Sequence, residues 1–140
     1  MNVLIDSDVI MDVFLLRKPF HDAAGQVFAL AEARRIRGFV SAVAFSNIYF
    51  LSRKEAGDAK TRTNIRLLLH LFETVAVDEK MIRRALDSDI ADFEDAIQFQ
   101  CALRCRARYI ITRNLGDFPA RGTCKAVTPA KFLEIFRGSA

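Results

Sequence analysis

The stretch Asn2-Val3-Leu4-Ile5-Asp6-Ser7-Asp8-Val9-Ile10 decides the fold. A short, continuous apolar run that stops abruptly at an acid reads as a strand buried on both faces, the pattern of a parallel sheet covered by helices. Asp6, Asp8 and Asp12 interrupt the apolar residues long before the roughly 18 uncharged positions that a membrane span requires. The same acids, with no basic segment before them, argue against a secretory signal peptide. The expectation is a cytoplasmic protein without a membrane association, whose Cys101, Cys105 and Cys124 are reduced thiols serving as small core filler.

Working outward, the same alternation recurs. Residues 38–41, 73–77, 109–112 and 125–127 are further strand candidates. Helical spacing of apolar residues predicts helices over 21–35, 43–53, 61–72, 79–86 and 92–105. A last helix opens with Thr128 as N-cap and Pro129 at its first position. The predicted architecture is therefore a three-layer α/β/α sandwich around a mostly parallel sheet of about five strands. A length of 140 residues suits one domain over residues 1–140, and 51% apolar with 27% charged residues is a globular balance. The net charge of +4, from 21 Lys+Arg and 17 Asp+Glu, hints at a polyanionic partner.

In open parallel sheets the reactive groups gather beyond the carboxyl ends of the strands. Asp6-Ser7-Asp8, Ser41 and Thr112-Arg113-Asn114, with Asp117 close behind, all follow strand candidates directly. Asp92, Glu94 and Asp95 open the helix before the fourth strand. For Asp92 an N-cap role is favoured over a ligand role, and for Glu94 a solvated position is the default. Asp8 and Asp12 suit capping or decorating the first helix, whereas Asp6 resists that role and should point into the sheet-end crevice. If Asp6, Asp95 and Asp117 converge, each pair at about 6 Å repels by roughly 3 kcal/mol at an effective dielectric near 20. A cation relieves that repulsion, and an all-oxygen donor set points to Mg²⁺ or Mn²⁺, which most often handle phosphates. His21 and His70 lie in helical segments away from these acids in sequence.

At these residues the chain resembles the PIN-domain family, the fold of the VapC-type toxins. The resemblance rests on Leu4-Ile5-Asp6-Ser7-Asp8-Val9, Asp92-Phe93-Glu94-Asp95-Ala96-Ile97 and Ile110-Ile111-Thr112-Arg113-Asn114 leading to Asp117-Phe118. Ser41 with Asn47-Ile48-Tyr49, and Thr128-Pro129 with Phe132-Leu133, also match. It implies a Mg²⁺- or Mn²⁺-dependent endonuclease acting on single-stranded RNA, commonly a homodimer neutralised by a cognate antitoxin protein. Asp6, Asp95 and Asp117 match the family's metal-binding acids, with Thr112 and Asn114 as polar companions. Asp8 stands where the family commonly has Asn. Asn47 stands where many members have a metal-binding Glu, so Asp8, Asp92 or Glu94 would have to compensate. Arg17, Lys18 and Arg113 are the candidates for positioning the RNA backbone, Arg113 having a structural ion pair as its competing role.

Two other readings stay open. A PIN-like module with weak or absent catalysis would bind RNA or protein without cutting, as Asn47 suggests. A HAD-type phosphatase would use Asp6 as nucleophile and Asp8 as general acid. It needs a Lys beyond a later strand, and none follows the fourth strand before Lys125. Most of the 12 Phe are expected in the core, which leaves base stacking without support, and the helical stretch 48–72 is the candidate dimer surface.

Overall fold

The computed structural model describes residues 1–119 and 124–139. Five strands, β1 (Asn2–Ile5), β2 (Arg37–Ser41), β3 (Glu73–Val75), β4 (Tyr109–Ile111) and β5 (Lys125–Val127), form one sheet in the order β3-β2-β1-β4-β5. Every pairing is parallel. The helices are α1 (Ser7–Phe14), α2 (His21–Glu32), α3 (Ala42–Ala56), α4 (Asp58–Leu71), α5 (Glu79–Asp87), α6 (Phe93–Arg104) and α7 (Pro129–Gly138), with a short 3₁₀ turn at Leu115–Asp117. The predicted three-layer sandwich is what the chain adopts.

Side-chain alternation along the strands builds two cores. Val3, Ile5, Val40, Tyr109 and Ile111 face α1, α2, α3, α4 and α7, where Ile10, Val27, Ile48, Leu68 and Phe132 complete a buried cluster. Leu4, Phe39 and Ile110 face the other way, onto Met81 and Ala85 of α5 and onto Ala96, Ile97 and Ala102 of α6. Val3, Leu4 and Ile5 are wholly inaccessible, so each contributes about 1.5–3 kcal/mol of gross burial. Burial also pushes the Cys105 and Cys124 thiols up to about 11, as suits their expected role as filler.

Strand ends are also helix beginnings. Asp6 closes β1 and caps α1, Ser41 closes β2 and caps α3, and Thr128 follows β5 and caps α7. Boundaries differ from the sequence pattern where the backbone turns. The α2 helix stops at Glu32 and not at 35, because Arg34 adopts a left-handed φ of 58° that a helix cannot propagate. Gly57, at φ 83°, separates α3 from α4 and lets both run longer than their apolar spacing indicates. The third strand ends at Val75, two residues short of its apolar pattern. Among the described residues, no helix is long and apolar enough to cross a membrane.

Candidate active site

Chain order reverses between β1 and β4: from β1 the sheet grows one way through β2 and β3, and the other way through β4 and β5. Crevices at such switch points are where open α/β sheets bind ligands. Asp6 emerges there. Its backbone N–H donates to the Ile111 carbonyl at 3.0 Å, continuing the ladder one residue beyond β1. The residue is 6% exposed and its carboxylate takes three donors: Ser7 N–H at 2.8 Å and Gln98 Nε2 at 3.0 Å on Oδ1, and Thr112 Oγ1 at 2.7 Å on Oδ2. Asp6 therefore caps α1 as well as facing the crevice, and the expectation that it would not serve as a cap is corrected. The two roles are compatible because a carboxylate has about four acceptor positions.

Asp95 stands on the first turn of α6, half-buried above this crevice. Burial, and then the charges of Asp92, Asp6, Asp117 and Glu94, push its carboxyl up to about 7. The acids expected to converge thus act on one another electrostatically. Asp92, Asp95 and Asp117 line a cleft of about 380 Å³ walled by Ile90 and Phe118. Asp117 is exposed on the 3₁₀ turn, while Asp92 is the N-cap of α6, accepting Asp95 N–H at 2.9 Å. Among the described residues, no group of three His, Cys, Asp or Glu side chains is gathered closely enough to ligate one ion directly.

A second set of acids lies on α1. Burial and the Asp6 charge push Asp8 up to about 6, against the lowering effect of Arg113, whose backbone N–H reaches Asp8 Oδ2 at 3.0 Å. Asp12 does not decorate the helix surface. It is fully buried and clamped by Arg113 through Nε to Oδ2 at 2.7 Å and Nη2 to Oδ1 at 3.0 Å. Arg17 approaches the same carboxylate at 3.8 Å. Arg113 makes the structural ion pair expected as its competing role, with the guanidinium carbon 4.0 Å from the Phe20 ring centre. Lys18 is exposed.

The remaining candidates sort by what they touch. Thr112 is a positioning group twice over, donating to Asp6 and accepting the Asn114 backbone N–H at 3.0 Å, while Asn114 itself is exposed. Ser41 spends its hydroxyl on Val43 N–H at 3.2 Å and on the Cys101 thiol, not on the acids. Glu94 is not freely solvated: Asn47 Nδ2 donates to both its oxygens, at 3.0 and 3.3 Å. Asn47 is thus a neutral donor joining α3 to α6, where a second carboxylate would repel Glu94. Gln98 escaped the sequence reading. It lies three positions after Asp95 on the inward face of α6, a spacing that places it beside the same crevice.

The donor chemistry fits a hard divalent cation. Asp95 is surrounded by like charges, and the nearby guanidinium of Arg113 is committed to Asp12. Among the described residues, Asp8 Oδ1 and Gln98 Oε1 are buried oxygens without a hydrogen-bond partner. Unsatisfied oxygens beside mutually repelling carboxylates are a cost that a cation offsets. The lack of three converged acids is no obstacle, because Mg²⁺ dehydrates reluctantly and is held through one or two carboxylates with several waters.

A family model described as PIN domain matches residues 2–116, and the chain belongs to that family. This membership takes the place of the phosphatase reading of Asp6 and Asp8. A toxin–antitoxin complex from Klebsiella pneumoniae is similar in structure, with a TM-score of 0.67 and 26% identity over 91% of this chain and 97% of the other. VapC20 of Mycobacterium tuberculosis, a sarcin–ricin-loop-cleaving toxin, superposes with a TM-score of 0.63 at 12% identity, covering 77% of this chain and 86% of its own. VapBC2 from Rickettsia felis, solved with a fragment of promoter DNA, gives 0.67 at 12% identity over 91% and 98%. The latter two likenesses bear on the fold alone. No curated protein matches the chain.

Proposed function

We propose that this PIN-domain protein is a divalent-metal-dependent endoribonuclease cutting single-stranded RNA, and that it is the toxin of a toxin–antitoxin pair. The observation that carries the reading is Asp6: a carboxylate kept in a nearly inaccessible crevice by Thr112 and Gln98, within the electrostatic reach of Asp95. Family membership and the similarity to the Klebsiella toxin–antitoxin complex support the nuclease class and an antitoxin partner. Within the stretch 48–72, the exposed Phe50, Leu51, Leu67 and Leu69 support it as the contact of a homodimer.

Asp6, Asp95 and Asp117 would hold Mg²⁺ or Mn²⁺, with Asp8 as the nearest further acid. When bound, the ion supplies positive charge against the phosphate and activates water for in-line attack. The protein's own residues set the geometry. Thr112 and Gln98 orient the two oxygens of Asp6, and Ser7 N–H at the start of α1 adds a third donor to that carboxylate. The side chains of Asp92, Glu94 and Asn47 fix the first turn of α6, and with it Asp95. Lys18, which is exposed, and Arg17 would hold the RNA backbone.

Asp6→Asn keeps the acceptor for Thr112 but removes the charge, and is expected to abolish cleavage of single-stranded RNA while leaving the circular dichroism spectrum unchanged. Wild-type cleavage stopped by EDTA and restored by Mn²⁺ is the companion result. Full activity in Asp6→Asn, or cleavage indifferent to EDTA, would refute the assignment.

A further inference from the structure

Beside the acids lies a second cavity, of about 440 Å³, whose walls are Pro19, Phe20, Ala23, Arg113, Thr128 and Pro129. It opens at the carboxyl ends of β4 and β5. Arg113 follows Thr112, whose side chain holds Asp6, and Arg113's backbone N–H binds Asp8. The cavity is thus one residue away from the crevice. Its lining is mostly apolar, an odd surface for a protein whose partner is a polyanion.

Two features make it more than a gap. First, the Arg113 guanidinium is held flat by two bonds to Asp12 and lies against the Phe20 ring, 4.0 Å from its centre. Its charge is balanced by a buried carboxylate, so it offers a planar π surface and leftover N–H donors more than attraction for phosphate. Phe20 is 40% exposed, whereas most of the phenylalanines are buried. Second, the polar groups at the wall are few and directed. Thr128 Oγ1 accepts Lys131 N–H at 3.1 Å, leaving its own hydrogen to donate. Pro19 and Pro129 add stiff apolar walls without N–H groups.

We propose that this cavity receives an unpaired nucleobase of the strand whose phosphate lies at Asp6, with Phe20 and Arg113 as the stacking platform. The proposal rests on the nuclease reading for its identification of RNA. Single-stranded RNA is recognised by splaying bases onto aromatic rings and Arg planes, with hydrogen bonds to their edges. A base is flat, neutral and polar only at its rim, which matches a cavity with π and apolar walls and donors at its edge. Phosphate matches poorly, since the guanidinium lining the cavity already spends two of its N–H donors on Asp12. Phe20 is therefore a base-stacking contact for the bound strand, and Lys18, next to Pro19 in sequence, supplies charge for the connecting phosphate.

The test is binding, which does not require cleavage. Amide chemical shifts of the full chain are followed as AMP, UMP or ribose 5-phosphate is added in EDTA. Nucleotide-dependent shifts at Ala23, Thr128 and Ala130 that ribose 5-phosphate does not reproduce are expected. Anisotropy of a labelled oligoadenylate hexamer should show Phe20→Ala binding about 5- to 100-fold more weakly, with Phe20→Trp restoring affinity. Equal shifts with ribose 5-phosphate, or unchanged affinity in Phe20→Ala, would overturn the proposal. A cavity built for an apolar peptide side chain responds to none of these probes and is likewise a refutation. The two readings fail separately. Base binding without Mn²⁺-dependent cleavage removes the nuclease and keeps the pocket, and cleavage with Phe20→Ala binding as wild type does the reverse.

Discussion

Three donors reach the Asp6 carboxylate in its nearly dry position, and removing one has a measurable cost. Thr112→Val deletes the hydroxyl that donates to Asp6 and accepts from Asn114 N–H. A loss of about 1.5–3 kcal/mol in denaturant-derived stability is expected, with RNA cleavage reduced but not abolished, since Gln98 and Ser7 still orient the acid. Arg113 separates two roles by a similar measurement. As a contact for RNA alone, its loss would leave stability untouched. As the clamp on a fully buried Asp12, Arg113→Ala should lower stability by about 3–5 kcal/mol in urea unfolding, because an uncompensated charge remains. The residues legible in the sequence, Asp6 and Thr112, stand at strand ends, where topology alone fixes direction. Asp12, Gln98 and Phe20 were not legible. Their roles depend on which helical face meets Arg113 or β1, and an acid or amide inside a helix carries no mark of that.

At the level of elements, the packing of α4 on the sheet is set by one close approach. A Cβ placed on Gly38 of β2 would fall 2.3 Å from Cδ1 and 2.6 Å from Cε1 of Phe72, just after α4. Phe72 in turn meets Phe28 of α2 edge to face, with ring centres 4.9 Å apart. Gly38→Ala should therefore cost about 1–3 kcal/mol, read as a lower urea midpoint at unchanged slope. The elements themselves were readable because apolar spacing and caps agree, as at Thr128-Pro129 for α7. Their ends were less so. The stop of α2 depends on a left-handed Arg34, which no side-chain preference announces. The continuation of α3 to Ala56 runs through Arg53-Lys54-Glu55, an exposed turn without apolar spacing.

For the molecule as a whole, the acidic cleft costs stability at neutral pH. The Asp95 carboxyl titrates at about 7 in the folded protein against an ordinary 3.8. The native state thus binds this proton more tightly than the unfolded chain does. Its favourable contribution is complete below about pH 4 and is lost as pH rises through about 7. Asp95→Asn cannot ionise, so in EDTA its melting temperature relative to wild type should climb between pH 5 and pH 8, by a few degrees on the scale of roughly 2–8 °C per kcal/mol. Mn²⁺ should narrow that difference by stabilising wild type more, through its preference for the folded state. The bond from Thr112 to Asp6 joins residues 106 apart in sequence. Strand β4 must dock on β1 before that carboxylate acquires its orientation, so a growing chain still missing its last quarter carries Asp6 and Asp95 but neither Thr112 nor Asp117. On the proposed function, a cell making this protein is spared cleavage until the sheet has closed around its first strand, and then meets it all at once.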